Sequence, residues 1–128
     1  MIIVTVSNIT YNEELQFTDA DDELSVTVKG HALFEENSKN LDYSVKKGDN
    51  IICAAVSFAA LTLLKSIKII GNIQFNYTIE DGLLQFTINL SELDSDRKKV
   101  LKILLEAFII GMLDIRQKYQ DFISINFT

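Results

Sequence analysis

The chain has 128 residues, 48% of them hydrophobic, with one Cys, one His, no Pro and a formal charge of −6. That length fits one domain spanning 1–128; a lone Cys and a lone His fall short of a zinc ligand set, and one Cys forms no internal disulfide, so no metal is expected. An acidic surface repels phosphate backbones, so direct nucleic-acid binding is not expected, and the longest charge-free run, Asn50 to Leu64, is short for a membrane span.

Ile2 to Tyr11 alternates in the manner of a half-buried strand, and Glu23 to Gly30 does the same with Leu24, Val26 and Val28 on one face. The acidic turn between them, Thr18 to Asp22, predicts that they pair as an antiparallel hairpin. From Leu33 to Asn50 the pattern dissolves into a charged, Asn-rich stretch, which reads as a long mobile loop. Ile51 to Ile67 is apolar almost all round and predicts a helix buried on more than one side, stopped by Gly71-Asn72. A second hairpin follows, Ile73 to Glu80 and Leu83 to Leu90, about an Asp81-Gly82 turn. Asp94 and Asp96 open a long helix running to about Tyr119, and a short strand, Phe122 to Phe127, closes the pattern.

The resulting order, ββαββαβ, predicts an α+β two-layer sandwich, a mostly antiparallel sheet with two long apolar helices on one face. Helices apolar beyond one stripe also predict a partner surface, most economically a homodimer. With no leader pattern at the N-terminus, the expected location is cytoplasmic, away from membranes. The cluster Arg97, Lys98, Lys99 and Lys102 reads as a solvated helix face.

The chemistry concentrates on Cys53 and His31. With Asp49 or Asn50 as helix cap, Cys53 falls in the first turn, where unpaired amides and the positive end of the helix dipole favour a thiolate. His31 ends the second strand, from which an imidazole can reach a helix start; the two together are the minimal pair for acyl transfer. The plainer readings are a small buried hydrophobe and a surface imidazole. No Gly-rich phosphate loop and no G-x-S-x-G is present, so no cofactor is expected.

Gly30-His31-Ala32 followed by Cys53-Ala54-Ala55-Val56-Ser57 resembles the ribosomal-processing cysteine protease family Prp. Leu104-Leu105-Glu106, Met112-Leu113, Ile115, Tyr119 and the strand around Ile123 follow its C-terminal pattern. The resemblance implies a cysteine endopeptidase that removes a short N-terminal extension from a large-subunit ribosomal protein during ribosome assembly, with the dyad on His31 and Cys53. It places the motif serine at Ser57, either hydrogen-bonding in the site or bonding back to the Cys53 carbonyl. The Ala54 amide is the nearest oxyanion donor, and Leu33 and Phe34 are candidate substrate-binding residues. The chain departs from the pattern in a longer His31-to-Cys53 segment, in Leu33-Phe34 where a Gly or polar residue is common, and in Asn50 where Asp is usual, with Asp49 beside it. A catalytically silent dimeric module that binds a ribosomal protein or assembly intermediate is the alternative.

Overall fold

The computed structural model describes residues 1–30 and 47–128. Four strands, β1 (Ile2–Ser7), β2 (Ile9–Asn12), β3 (Glu14–Phe17) and β4 (Glu23–Lys29), precede α1 (Lys47–Ile69). Then come β5 (Asn76–Glu80), β6 (Leu83–Asn89), a 3-10 turn at Leu90–Glu92, α2 (Ser95–Lys118) and β7 (Ile123–Phe127). The main sheet has the order β5-β6-β4-β1-β7, and β2-β3 form a separate two-stranded ribbon. Only β1 and β7 pair in parallel; β1 with β4, β4 with β6 and β5 with β6 are antiparallel.

Alternation and register together give the sheet one apolar face. Val4 lies opposite Val28 and Ile125, Val28 opposite Leu84, and Val26 opposite Val6 and Phe86. All of these are buried in one core cluster with Ile52, Val56, Ala60, Leu63, Leu64 and Ile67 of α1 and Leu101, Leu105, Phe108, Ile109 and Met112 of α2. Each such side chain contributes on the order of 1.5–3 kcal/mol by leaving water. The predicted layers are therefore present, with both helices on one face. The opposite face carries Thr5, Ser7, Ser25, Thr27, Gln85 and Thr87.

Three expectations are corrected. The alternating run Ile2 to Tyr11 is not one strand: Asn8 adopts the left-handed region (φ 64°), a conformation Asn tolerates, and breaks it. The Asn8 amide then pairs with the Asp19 backbone in both directions, Nδ2 donating to its carbonyl and Oδ1 accepting from its N–H, each at 2.8 Å. So β1 and β4 do pair, but with the ribbon β2-β3 between them in sequence. Second, α1 is buried on one side only. Ile51, Phe58 and Ile69 are 62%, 73% and 78% exposed. By length and composition Ile51–Ile69 is apolar enough to cross a membrane, a test that core helices also pass, and its inner stripe is part of the core. Third, of the loop expected from Leu33 to Asn50, the part up to 46 lies outside the described residues, and Lys47 to Asn50 already belong to α1.

The second helix starts as predicted. Asp94 is its N-cap, accepting from the Arg97 N–H at 2.8 Å. The basic cluster lies on the helix surface, as expected, and makes ion pairs there: Arg97 pairs with Asp94 and donates to the Asn72 carbonyl, Lys98 meets Asp21, Lys102 meets Glu14 at 2.9 Å, and Lys99 is exposed. These contacts tie the start of α2 to the end of α1 and to the ribbon.

Candidate active site

At one end of the sheet the start of β1, the end of β4, the start of β7 and the N-terminal part of α1 converge. They enclose a cavity of about 380 Å³ lined by Met1, Ile2, Gly30, Ile52, Cys53 and Phe122. Main-chain bonds fix its walls: Ile2 N–H donates to the Phe122 carbonyl at 2.8 Å, and Gly30 N–H donates to the Gly82 carbonyl at 2.9 Å. The second bond exists because Lys29 registers with Leu83, so the Asp81-Gly82 turn abuts the end of β4. Cys53 is a free thiol, half-buried in the cavity wall, whereas Ile52 beside it is core.

His31 follows Gly30 directly and lies outside the described residues, as do Leu33 and Phe34. Asp49 and Asn50 lie within the first turn of α1. Because the helix opens at Lys47, neither of them is its N-cap, and Cys53 is its seventh residue rather than a first-turn residue. Lys47 and Gly48 extend the helix past two residues that would each cap it well. The unpaired amides of a helix belong to its first turn, so the i→i−4 ladder takes up the Ala54 amide. The expected oxyanion donor is therefore corrected as well.

Ser57 is one turn beyond Cys53 and only 6% exposed; its Oγ has no hydrogen-bond partner among the described residues. The back-bond to the Cys53 carbonyl is not formed. A buried hydroxyl left unpaired costs about 1–3 kcal/mol, so a partner for Ser57 Oγ, which has none among the described residues, would stabilise this turn of the helix.

A larger hollow, about 680 Å³, sits at the other end of β1, lined by Ser7, Ser25, Thr87, Asp22 and Glu23 among others. Two of its hydroxyls are paired with each other, Ser7 Oγ to Ser25 Oγ at 2.6 Å, and no Cys lines it. Sequence reasoning missed Met1, Ile2 and Phe122 as walls of the Cys53 site and Gly82 as the residue that holds its Gly30 wall. Only the Asp-Gly turn had a signal, and that signal spoke for a hairpin rather than for where the hairpin lands.

A family model described as cysteine protease Prp matches residues 14–124. Among solved structures, SMU.848 from Streptococcus mutans superposes with a TM-score of 0.67 at 22% identity, over 100% of this chain and 97% of the other. The essential ribosomal processing protease Prp from S. aureus, in complex with a covalently linked product peptide, gives 0.66 at 16% identity over 100% of both chains. The same protease with a substrate peptide gives 0.56 at 18%, again over 100% of both. At these identities the structures speak for the fold. Among curated proteins none matches by sequence.

Proposed function

This chain belongs to the cysteine protease Prp family, and from that premise we propose that it is a cytoplasmic, single-domain endopeptidase cutting a short N-terminal extension from a large-subunit ribosomal protein during ribosome assembly. The observation that carries the reading is the cavity in which the Cys53 thiol and Gly30, the residue before His31, share one wall. In the proposed reaction the Cys53 thiolate attacks the scissile carbonyl carbon. The tetrahedral intermediate collapses as the His31 imidazolium gives its proton to the leaving amine, and a thioester remains. Water then attacks the thioester carbonyl, His31 taking its proton; the C–S bond breaks, the acid product leaves and the thiolate and imidazolium are restored. Leu33 and Phe34 contribute to an apolar subsite, and Asp49 or Asn50 supports His31. Ser57, whose buried hydroxyl has no partner among the described residues, supplies a hydrogen bond in the site.

The S. aureus relative was crystallised with substrate and product peptides, which supports an extended peptide as the substrate class here. A net charge of −6 favours a basic ribosomal partner. The decisive experiment incubates a synthetic peptide spanning such an extension with wild type, Cys53→Ala and His31→Ala. Cleavage by wild type and by neither variant is expected. Cleavage retained by Cys53→Ala ends the proposal, and binding without cleavage by wild type points to the silent module.

The second proposed partner is another copy of the chain. Ile51 and Phe58 of α1 and Ile103 and Ile110 of α2 are each more than half exposed on the outer helix face. Phe58 borders a groove of about 270 Å³ shared with Ala59, Ala107 and Gly111, and a Cβ at Gly111 would meet nothing within 4 Å. A protruding ring beside a shallow apolar groove is self-complementary under a two-fold axis. Sedimentation of wild type as a dimer and of Phe58→Glu as a monomer is the expected result.

A further inference from the structure

The strand β5 ends the sheet on one side, and no strand among the described residues pairs with its outer edge. All five of its residues are exposed, whereas Ile123 and Ile125 of β7, at the opposite edge, are buried. Which main-chain groups β5 turns outward follows from β6. The Gly82 carbonyl points to β4, where it accepts from Gly30, and main-chain groups alternate in direction along a strand; Leu83 therefore bonds with Glu80, its register partner, and closes the two-residue turn. Gln85 with Thr78 and Thr87 with Asn76 follow in the same phase. Tyr77 and Ile79 are left with N–H and C=O aimed away from the sheet.

Sheets usually blunt such an edge with proline, lysine or a bulge. The run Asn76-Tyr77-Thr78-Ile79-Glu80 contains neither residue, and its register with β6 is unbroken. The side chains suit an incoming strand as well: the Tyr77 ring, 47% exposed, is steadied by Lys68 Nζ at 3.7 Å from its centroid, and Ile79 is 37% exposed. Glu80 and Asp81 make the end of the edge negative, and neither forms an ion pair among the described residues. That end is the one nearest the Cys53 cavity. Gly82 holds Gly30, a cavity wall, and Gly30 lies two strand spacings, about 10 Å, from β5. About three extended residues span that gap.

We propose that the outer edge of β5 is an exosite for the substrate: it takes an extended, basic stretch by strand addition, with Tyr77 and Ile79 supplying main-chain hydrogen bonds and Glu80 and Asp81 the opposite charge. Assigning that stretch to the substrate rests on the peptidase reading; the strand addition does not.

The probe is a fluorescein-labelled peptide of alternating lysine and valine, read by anisotropy against the full chain at low salt. Its controls are a peptide of alternating glutamate and valine and the lysine peptide N-methylated at every amide. The lysine peptide is expected to bind at least about tenfold tighter than either control. Ile79→Pro deletes an outward N–H and leaves the pairing with β6 in place, so with folding checked by circular dichroism it should weaken binding at least about fivefold. In excess, the lysine peptide should slow cleavage of the extension peptide. No binding to wild type, or equal binding of the N-methylated peptide, overturns strand addition; if Ile79→Pro does not fold, the N-methylated peptide decides alone. Binding that leaves cleavage of the extension peptide untouched overturns the assignment to substrate. A wild type that binds the lysine peptide and cuts nothing removes the peptidase reading and leaves the peptide-binding edge. Self-association of wild type that Ile79→Pro abolishes, with no peptide bound, overturns the proposal in favour of a second copy on this edge.

Discussion

The two ends of β1 each carry a concavity, and they differ in the groups that line them. At the Ser7 end the hollow is the bigger, and three of its polar side chains are committed: Ser7 Oγ meets Ser25 Oγ at 2.6 Å and also accepts from the Ser25 N–H at 3.0 Å, and Asn8 is locked to Asp19. At the Met1 end the cavity is smaller and lined largely by apolar residues, yet it holds a free thiol, and one helical turn on lies a buried hydroxyl with no partner among the described residues. The ends differ in chemistry as well as in volume, the free thiol lying at the smaller one.

Substitutions can break or sharpen that contrast. The largest effect is expected from Cys53→Ala, which should lower peptide cleavage at least about a thousandfold while urea denaturation shifts little. Phe86→Ala should erase the distinction between the ends. This ring is 1% exposed, pairs with Val26 in the middle of the sheet and packs against Phe75, so its loss should cost about 3–5 kcal/mol of stability everywhere. Asn8→Ala places an ordinary side chain in the left-handed region and removes two hydrogen bonds; about 2 kcal/mol of stability should be lost with cleavage by the folded protein unchanged. Ser25→Ala should be the mildest, about 1 kcal/mol in the same denaturation experiment, again without effect on cleavage. Loss of cleavage in either Ser7-end variant, with the fold intact, would mean that the ends are functionally coupled.

The parts legible in the sequence are those governed by neighbours along the chain. Asp94 caps α2, Tyr119 ends it, and Asp81-Gly82 turns the second hairpin, each where residue type and period said so. The break at Asn8 was hidden because one left-handed residue between two alternating runs leaves the alternation intact on paper. The start of α1 was misjudged for the opposite reason: Asp49 and Asn50 are good caps, but capping is a preference that preceding helical residues override. In the site, Cys53 stood out as the only Cys, and His31 through its neighbours Gly30 and Ala32. Met1 and Phe122 could not stand out, because they meet Cys53 only through the pairing of β1 with β7, which no local pattern encodes.

That parallel pairing also sets an order of events. β1, β4 and β6 have their partners within the first 89 residues, whereas β7 must return across nearly the whole chain to reach β1. Contacts so distant in sequence form late, since the loop they close is long. A chain emerging from the ribosome can thus build most of its sheet while Phe122, the last wall of the Cys53 cavity, is still unmade. The thiol is expected to gain its pocket only once synthesis has passed β7, so a nascent chain carries Cys53 before it carries the cavity around it.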